Sequence, residues 1–358
     1  MPDPRSEISD AAQHRVMKQM LARSGSAGHS PGAQLAELIA ARMDRLPLPG
    51  HGATLQRWKC LAAVASHDLS LAKLYEGHTD ALAILAELGG PQPVAHPAGA
   101  WGVWCAEPPG ATVSLKQSED GGYRLSGRKQ WCSGASVLSH ALVSCRDATG
   151  QSCLAAVELR QPGVTITNEG WHAVGMAGSG SVDVIFNDAE ALPAGAPGAY
   201  LKRPGFWHGG AGIAACWYGA AQAIADFLHA AVHVQQSRHL TDDSRPPVDP
   251  HRLSHLGHVD IALSGAAALL RETAAAIDAA PVADAAVPAL RVRLAVETVA
   301  TNVLHHATRA LGAGPLCRDA EFARMAADLP VFLRQSHAER DLATLGAKLA
   351  NRGQPWEL

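Results

Sequence analysis

Trp131 and Ser133, two positions apart, are the residues of this chain best suited to hold a ligand. In an extended segment both side chains point to one face, the first offering a broad apolar plane and the second a hydroxyl. That pair makes a wall for a flat heteroaromatic molecule. It closes the stretch Asp120 to Ala135, in which Gly121-Gly122 signals a tight turn. Val113–Leu115 and Tyr123–Ser126 then read as hairpin arms, with a second strand following at once. His251, His255 and His258 share one helical face and have acceptable spacing for a metal, but no nearby carboxylate or cysteine completes a ligand set, so no metal site is expected. Gly178-Ser-Gly180 is too short for a dinucleotide fingerprint.

The elements around these residues follow from texture. With 358 residues and a formal charge of −3, the chain can bury a large core and shows no basic excess that would favour nucleic acid or an anionic membrane. Its seven cysteines are an odd number without a C-x-x-C spacing, which reads as buried thiols in a reducing cytoplasm. The apolar run Ala211–Val232 is interrupted by Gln222, Asp226 and His229 and reads as a buried helix.

Residues 1–30 are polar and read as a short helix or a disordered lead. Residues 31–99 form an N-terminal α-helical domain with helices at Ala33–Arg45, Leu55–Ser66 and Leu69–Leu88. Short strand-like runs with Gly or Pro in their turns make residues 100–198 a middle β-barrel with antiparallel pairing. Residues 199–358 read as a C-terminal four-helix bundle, with helices at about 205–236, 251–279, 284–313 and 320–349.

This α+β order resembles the acyl-CoA dehydrogenase superfamily of flavoproteins, and three ordered motifs carry the resemblance. Gly127-Arg-Lys-Gln-Trp131-Cys-Ser133-Gly is similar to the family's Gly-x-Lys-x-Trp-Ile-(Thr/Ser)-Asn segment. Val103-Trp-Cys-Ala-Glu107-Pro108 resembles its Val-Thr-Glu-Pro strand, and Gly175-Met-Ala-Gly-Ser-Gly180 its Gly-Met-Arg-(Gly/Ser) loop. The resemblance implies FAD, with FMN as alternative, its ring held by Trp131, Ser133, Cys105 and Ala106. Ala106 stands where the family has a hydroxyl, a loss of about 1 kcal/mol. The implied reaction is oxidation of the alpha-beta bond of an acyl-CoA, with an electron-transfer flavoprotein as partner and a homodimer or homotetramer as the assembly.

Two features depart from the family. Aligning Asp328–Ala338 with its Asp-Ala-Arg-Val-x-x-Ile-Tyr-Glu-Gly-Thr puts Ser336 at the catalytic Glu, and the alternative base aligns with Gly209. His337 and Glu339 are the remaining candidates for acid–base work. The segment Asp242–Arg252 lacks the family's Arg, Phe-Gly and Gln, leaving Arg245, Arg309 and the Gly312/Gly314 turn to meet the ADP half of FAD. A flavin-dependent monooxygenase of the same fold, using free reduced flavin and oxygen, and a non-catalytic diverged subunit or scaffold are the alternatives.

Overall fold

The computed structural model describes residues 10–24, 30–89, 99–108, 112–242, 244–350 and 356. The first layer is helical: α1 (Asp10–Ser24), α2 (Pro31–Ala40), α3 (Thr54–Ala65) and α4 (Leu69–Leu88). Helix α1 joins the core through Met17 and Leu21; the link expected after it falls at residues 25–29, outside the described ones. In α4, Asp68 caps the start by accepting from Leu71 N–H, and Gly89 ends the helix in the left-handed region at φ 65°. This helix is buried over most of its length because the barrel lies on one side and the bundle on the other.

The strands are β1 (Trp101–Trp104), β2 (Val113–Gln117), β3 (Tyr123–Cys132), β4 (His140–Arg146), β5 (Ser152–Glu158), β6 (Val164–Ile166) and β7 (Val182–Pro193). They run β4-β2-β3-β7-β5, and β5 pairs back to β4, so the sheet closes into a barrel with β1 and β6 attached outside the ring. The expected hairpin is present, with Leu115 opposite Leu125. Pairing is not wholly antiparallel: β1 and β2 both run parallel to β4.

The remaining helices are α5 (Ala199–Lys202), α6 (Gly205–Thr241), α7 (Pro250–Ala279), α8 (Ala286–Leu311), α9 (Ala313–Arg318), α10 (Ala320–Leu333) and α11 (Glu339–Ala350). Helices α6 and α3 approach closely at Gly219, where any side chain would drive a Cβ to 2.1 Å from the Ala62 carbonyl oxygen. The fourth bundle helix, expected to be continuous over 320–349, is instead split into α10 and α11. Local hydrogen bonds displace the helical ones there: Ala338 N–H donates to Ser336 Oγ, and His337 N–H donates to Asp341 Oδ2. Among the described residues one helix, α7, is long and apolar enough to cross a bilayer by length and composition.

Candidate active site at the barrel end

The last turn of β3 overturns the simple picture of a flat strand wall. A register shift between Lys129 and Cys132 interrupts the pairing with β7, and Trp131 sits in the left-handed region at φ 58°. A tryptophan there is strained by about 1–3 kcal/mol. Trp131 and Ser133 therefore do not lie on one face of an extended strand. The indole is 50% exposed, whereas Ser133 is only 9% exposed. Ser133 N–H donates to the Trp131 carbonyl at 3.0 Å, and Trp104 Nε1–H donates to the Ser133 carbonyl at 3.1 Å. The two side chains thus share one tight turn, with the ring projected outward and the hydroxyl tucked behind it.

Inside the barrel, Lys129 Nζ donates to Ser144 Oγ at 2.7 Å and to the Ser144 carbonyl at 3.0 Å. Burial pulls its ammonium below the usual lysine range, opposed by Cys105 and Glu107. Burial pushes the Cys105 thiol up, and Tyr200 pulls it back by hydrogen bonding. Ala106 is exposed and offers only main chain and a methyl.

The two positions that hold the family's base carry no carboxylate. Ser336 is buried, and its Oγ accepts from Ala338 N–H. Ala338 has φ 45°, so this loop too is strained. Gly209 lets α6 pass α4 closely: a Cβ there would lie 3.3 Å from Asp80 Oδ2. The His337 side chain is 65% exposed, with Nδ1 3.4 Å from Asp341 Oδ1, which leaves Nε2 free. Glu339 starts α11, is exposed, and is not brought to the barrel end by any hydrogen bond or ion pair among the described residues.

Three features escaped the sequence reading. Half-buried Arg293 donates to the Gly210 carbonyl at 2.7 Å and to the Gln335 carbonyl at 3.2 Å, with its guanidinium 5.2 Å from the Trp217 ring. It ties the Ser336–His337 loop to α6. On α4, Lys73 pairs with Glu76 at 3.0 Å and Asp80 with Arg57 at 2.9 Å. Burial pushes the Glu76 carboxyl above its usual range, against the pull of Lys73. The charged spacing Lys73, Glu76, Asp80 on an otherwise apolar helix was the available signal. The third is the clamp that fastens the already recognised loop Gly175–Ser181 to α10, where Met176 N–H donates to Asp328. A Cβ on Gly175 would reach 2.0 Å from the Ala327 carbonyl oxygen.

The residues expected to meet an ADP group are engaged elsewhere or apart. Arg245 pairs with Asp242 at 3.2 Å. Arg252 donates to the Ala310 carbonyl at 3.1 Å and to Gln235 at 2.8 Å. Arg309 is exposed at the end of α8, and Gly312, at φ 70°, and Gly314 lie in the turn into α9. The exposed indole plane at the barrel end suits an isoalloxazine ring. Arg245 and Arg252 are thus held by Asp242, Gln235 and the Ala310 carbonyl. On the other face of the bundle, His255 and His306 meet Nδ1 to Nδ1 at 2.8 Å and His258 stacks on His306. Among the described residues no group of three or more His, Cys, Asp or Glu is placed to hold a metal.

Comparison with known proteins agrees with this architecture. Residues 108–189 match the family model for the acyl-CoA dehydrogenase middle domain. The chain is 41% identical over 96 residues to an amino sugar nitrososynthase of Streptomyces peucetius, covering 24% of each chain. It is 31% identical over 180 residues to a dibenzothiophene monooxygenase of Rhodococcus erythropolis, covering 45% of this chain and 43% of the relative. The matched stretches are thus less than half of those relatives' lengths. The structure of a dibenzothiophene monooxygenase from Paenibacillus sp. A11-2, in complex with FMN and indole, superposes with a TM-score of 0.76, 18% identity and 97% of both chains covered. At that identity the likeness establishes the fold. The barrel thus matches the acyl-CoA dehydrogenase middle domain over residues 108–189, and the whole chain shares the fold of that monooxygenase structure.

Proposed function

We propose that this chain is an FMN-using monooxygenase that delivers oxygen to a small molecule, and not a dehydrogenase of acyl thioesters. The observation that carries the reading is the absence of a carboxylate at both base positions: Gly209 has no side chain, and the Ser336 hydroxyl is bonded within its own loop. Removal of a weakly acidic C–H proton needs a base within hydrogen-bond reach, and neither position supplies one. The named activities of the relatives support the same direction, as does FMN in the structural neighbour.

Reduced FMN, when bound, supplies the electrons that activate dioxygen. The chain's residues hold and shield the ring and manage protons. Trp131 would cover the ring as an apolar plane, carried on the same tight turn as Ser133. Asp341 faces Nδ1 of His337, which leaves Nε2 as the atom available to a bound molecule. Arg293 fixes the loop that carries it.

The test is oxygen uptake by purified protein with FMN and a separate flavin reductase, using dibenzothiophene, indole and an amino sugar as probe substrates. Oxygenated product that depends on reduced FMN is expected. Bleaching of the flavin-loaded protein by acyl-CoA without oxygen would overturn the proposal.

A further inference from the structure

Away from the barrel end, a cleft of about 330 Å³ opens between α4, the start of α6, the loop before α3 and the turn from α7 into α8. Its walls are apolar: Leu48 and Pro49 from the loop, Ala83 from α4, Pro204 from the approach to α6, and Pro281 and Val282 from the turn. Two glycines keep it open. A Cβ on Gly50 would come within 3.1 Å of His208 and 3.2 Å of Pro281, and one on Gly209 within 3.3 Å of Asp80 Oδ2. The volume lies near the lower end of the range for small-molecule pockets.

The polar groups of the lining decide what fits. Asp80 is matched by Arg57 at 2.9 Å and Glu87 by Arg203 at 2.6 Å. The second oxygen of Glu87 accepts from Gly205 N–H at 3.0 Å. Burial holds the His208 imidazole below the usual histidine range, against the pull of Glu87, so the ring is neutral at pH 7. His51, exposed at the mouth, is turned to its own loop, with Nδ1 3.0 Å from the Pro49 carbonyl. The lining thus offers an ion neither a free carboxylate nor a free guanidinium, and an ion entering it would lose hydration without gaining a partner. One polar group is left over. His208 is 2% exposed, and its Nε2 has no hydrogen-bond partner among the described residues. An unpaired polar atom in the interior is costly, and a ligand's hydrogen-bonding group at that ring removes the cost.

We infer that this cleft binds a neutral, largely apolar small molecule that carries one hydrogen-bonding group and sets it against His208. The site shares no residue with the Trp131–Ser133 turn, so its occupancy can be read without flavin. Gly209 lines it, and the next carbonyl, that of Gly210, is the one Arg293 ties to the Ser336–His337 loop. A bound molecule therefore touches the segment on which that loop rests.

The experiment titrates four molecules of similar size into the full chain at about pH 7.5: phenol, toluene, benzoate and benzylamine. Affinity is read by calorimetry and the histidine ring nitrogens by NMR. Phenol should bind one to one and about tenfold more tightly than toluene or either ion, the difference made by one hydrogen bond. It should shift the ring resonance that is missing from His208→Leu. That variant should bind phenol no better than toluene, and Ala86→Phe, at an exposed position in the lining, should bind neither. Equal affinity for phenol and toluene in the wild type, or a preference for phenol that survives His208→Leu, overturns the role of His208. Tighter binding of benzoate or benzylamine than of phenol overturns the neutral class. Binding of none of the four, or binding unchanged by Ala86→Phe, overturns the site itself.

Discussion

The barrel end around Trp131 and the loop around Ser336 are both strained, yet they spend their strain differently. At the barrel end, left-handed Trp131 holds a large ring half in solvent while Ser133 is ordered from behind by two more serines. At the loop, left-handed Ala338 folds the chain back so that Ser336 bonds to its own backbone and His337 is turned outward toward Asp341. The first arrangement presents an aromatic plane to solvent, and the second carries no carboxylate at Ser336. Holding a ring and abstracting a proton are thus separable on this fold.

The loop Gly175–Ser181 links the two regions, and breaking it should have the largest effect. Gly175→Ala pushes a Cβ into the Ala327 carbonyl and should cost about 3 kcal/mol in urea unfolding. His337→Ala separates the roles: turnover should fall about 100-fold with FMN affinity unchanged, as seen by single-turnover kinetics and fluorescence titration. Trp131→Ala should do the reverse at the level of binding, weakening FMN roughly 30-fold, within the range for loss of one stacked aromatic. Ala338→Gly relieves a left-handed backbone and should raise stability by about 1 kcal/mol, measured by thermal melting. The smallest effect concerns the thiols. Burial pushes the Cys145 thiol up to about 12, whereas Cys317 is exposed. At pH 8 a thiol reagent should label Cys317 at once and leave Cys145 unmodified until the barrel unfolds.

Much of the fold was legible because periodicity and punctuation agree with it. Leu69–Leu88 is read as a helix and is one, and the hairpin is announced by Gly121-Gly122 between alternating arms. The break at Arg334–Ala338 was not legible: Ser336 and Asp341 compete for backbone N–H groups only once the loop has turned. The same limit applies at the site. Trp131 and Ser133 were visible as residue types, but the left-handed turn between strand and loop separates their directions, and no periodicity encodes a positive φ on tryptophan. Arg293 was passed over because its partners, the Gly210 and Gln335 carbonyls, are backbone atoms brought together from distant segments. FAD was expected from the family as a whole, while the local engagement of Arg245 with Asp242 is a feature of the folded chain alone.

The most direct test of the account mixes flavin-loaded protein with each of two partners. Reduced FMN on the protein, mixed with oxygen and a probe substrate, should yield oxygenated product, and oxidised flavin on the protein should stay coloured in the presence of acyl-CoA without oxygen. Rapid bleaching of oxidised flavin by an acyl-CoA, with no product from the oxygen reaction, would contradict it.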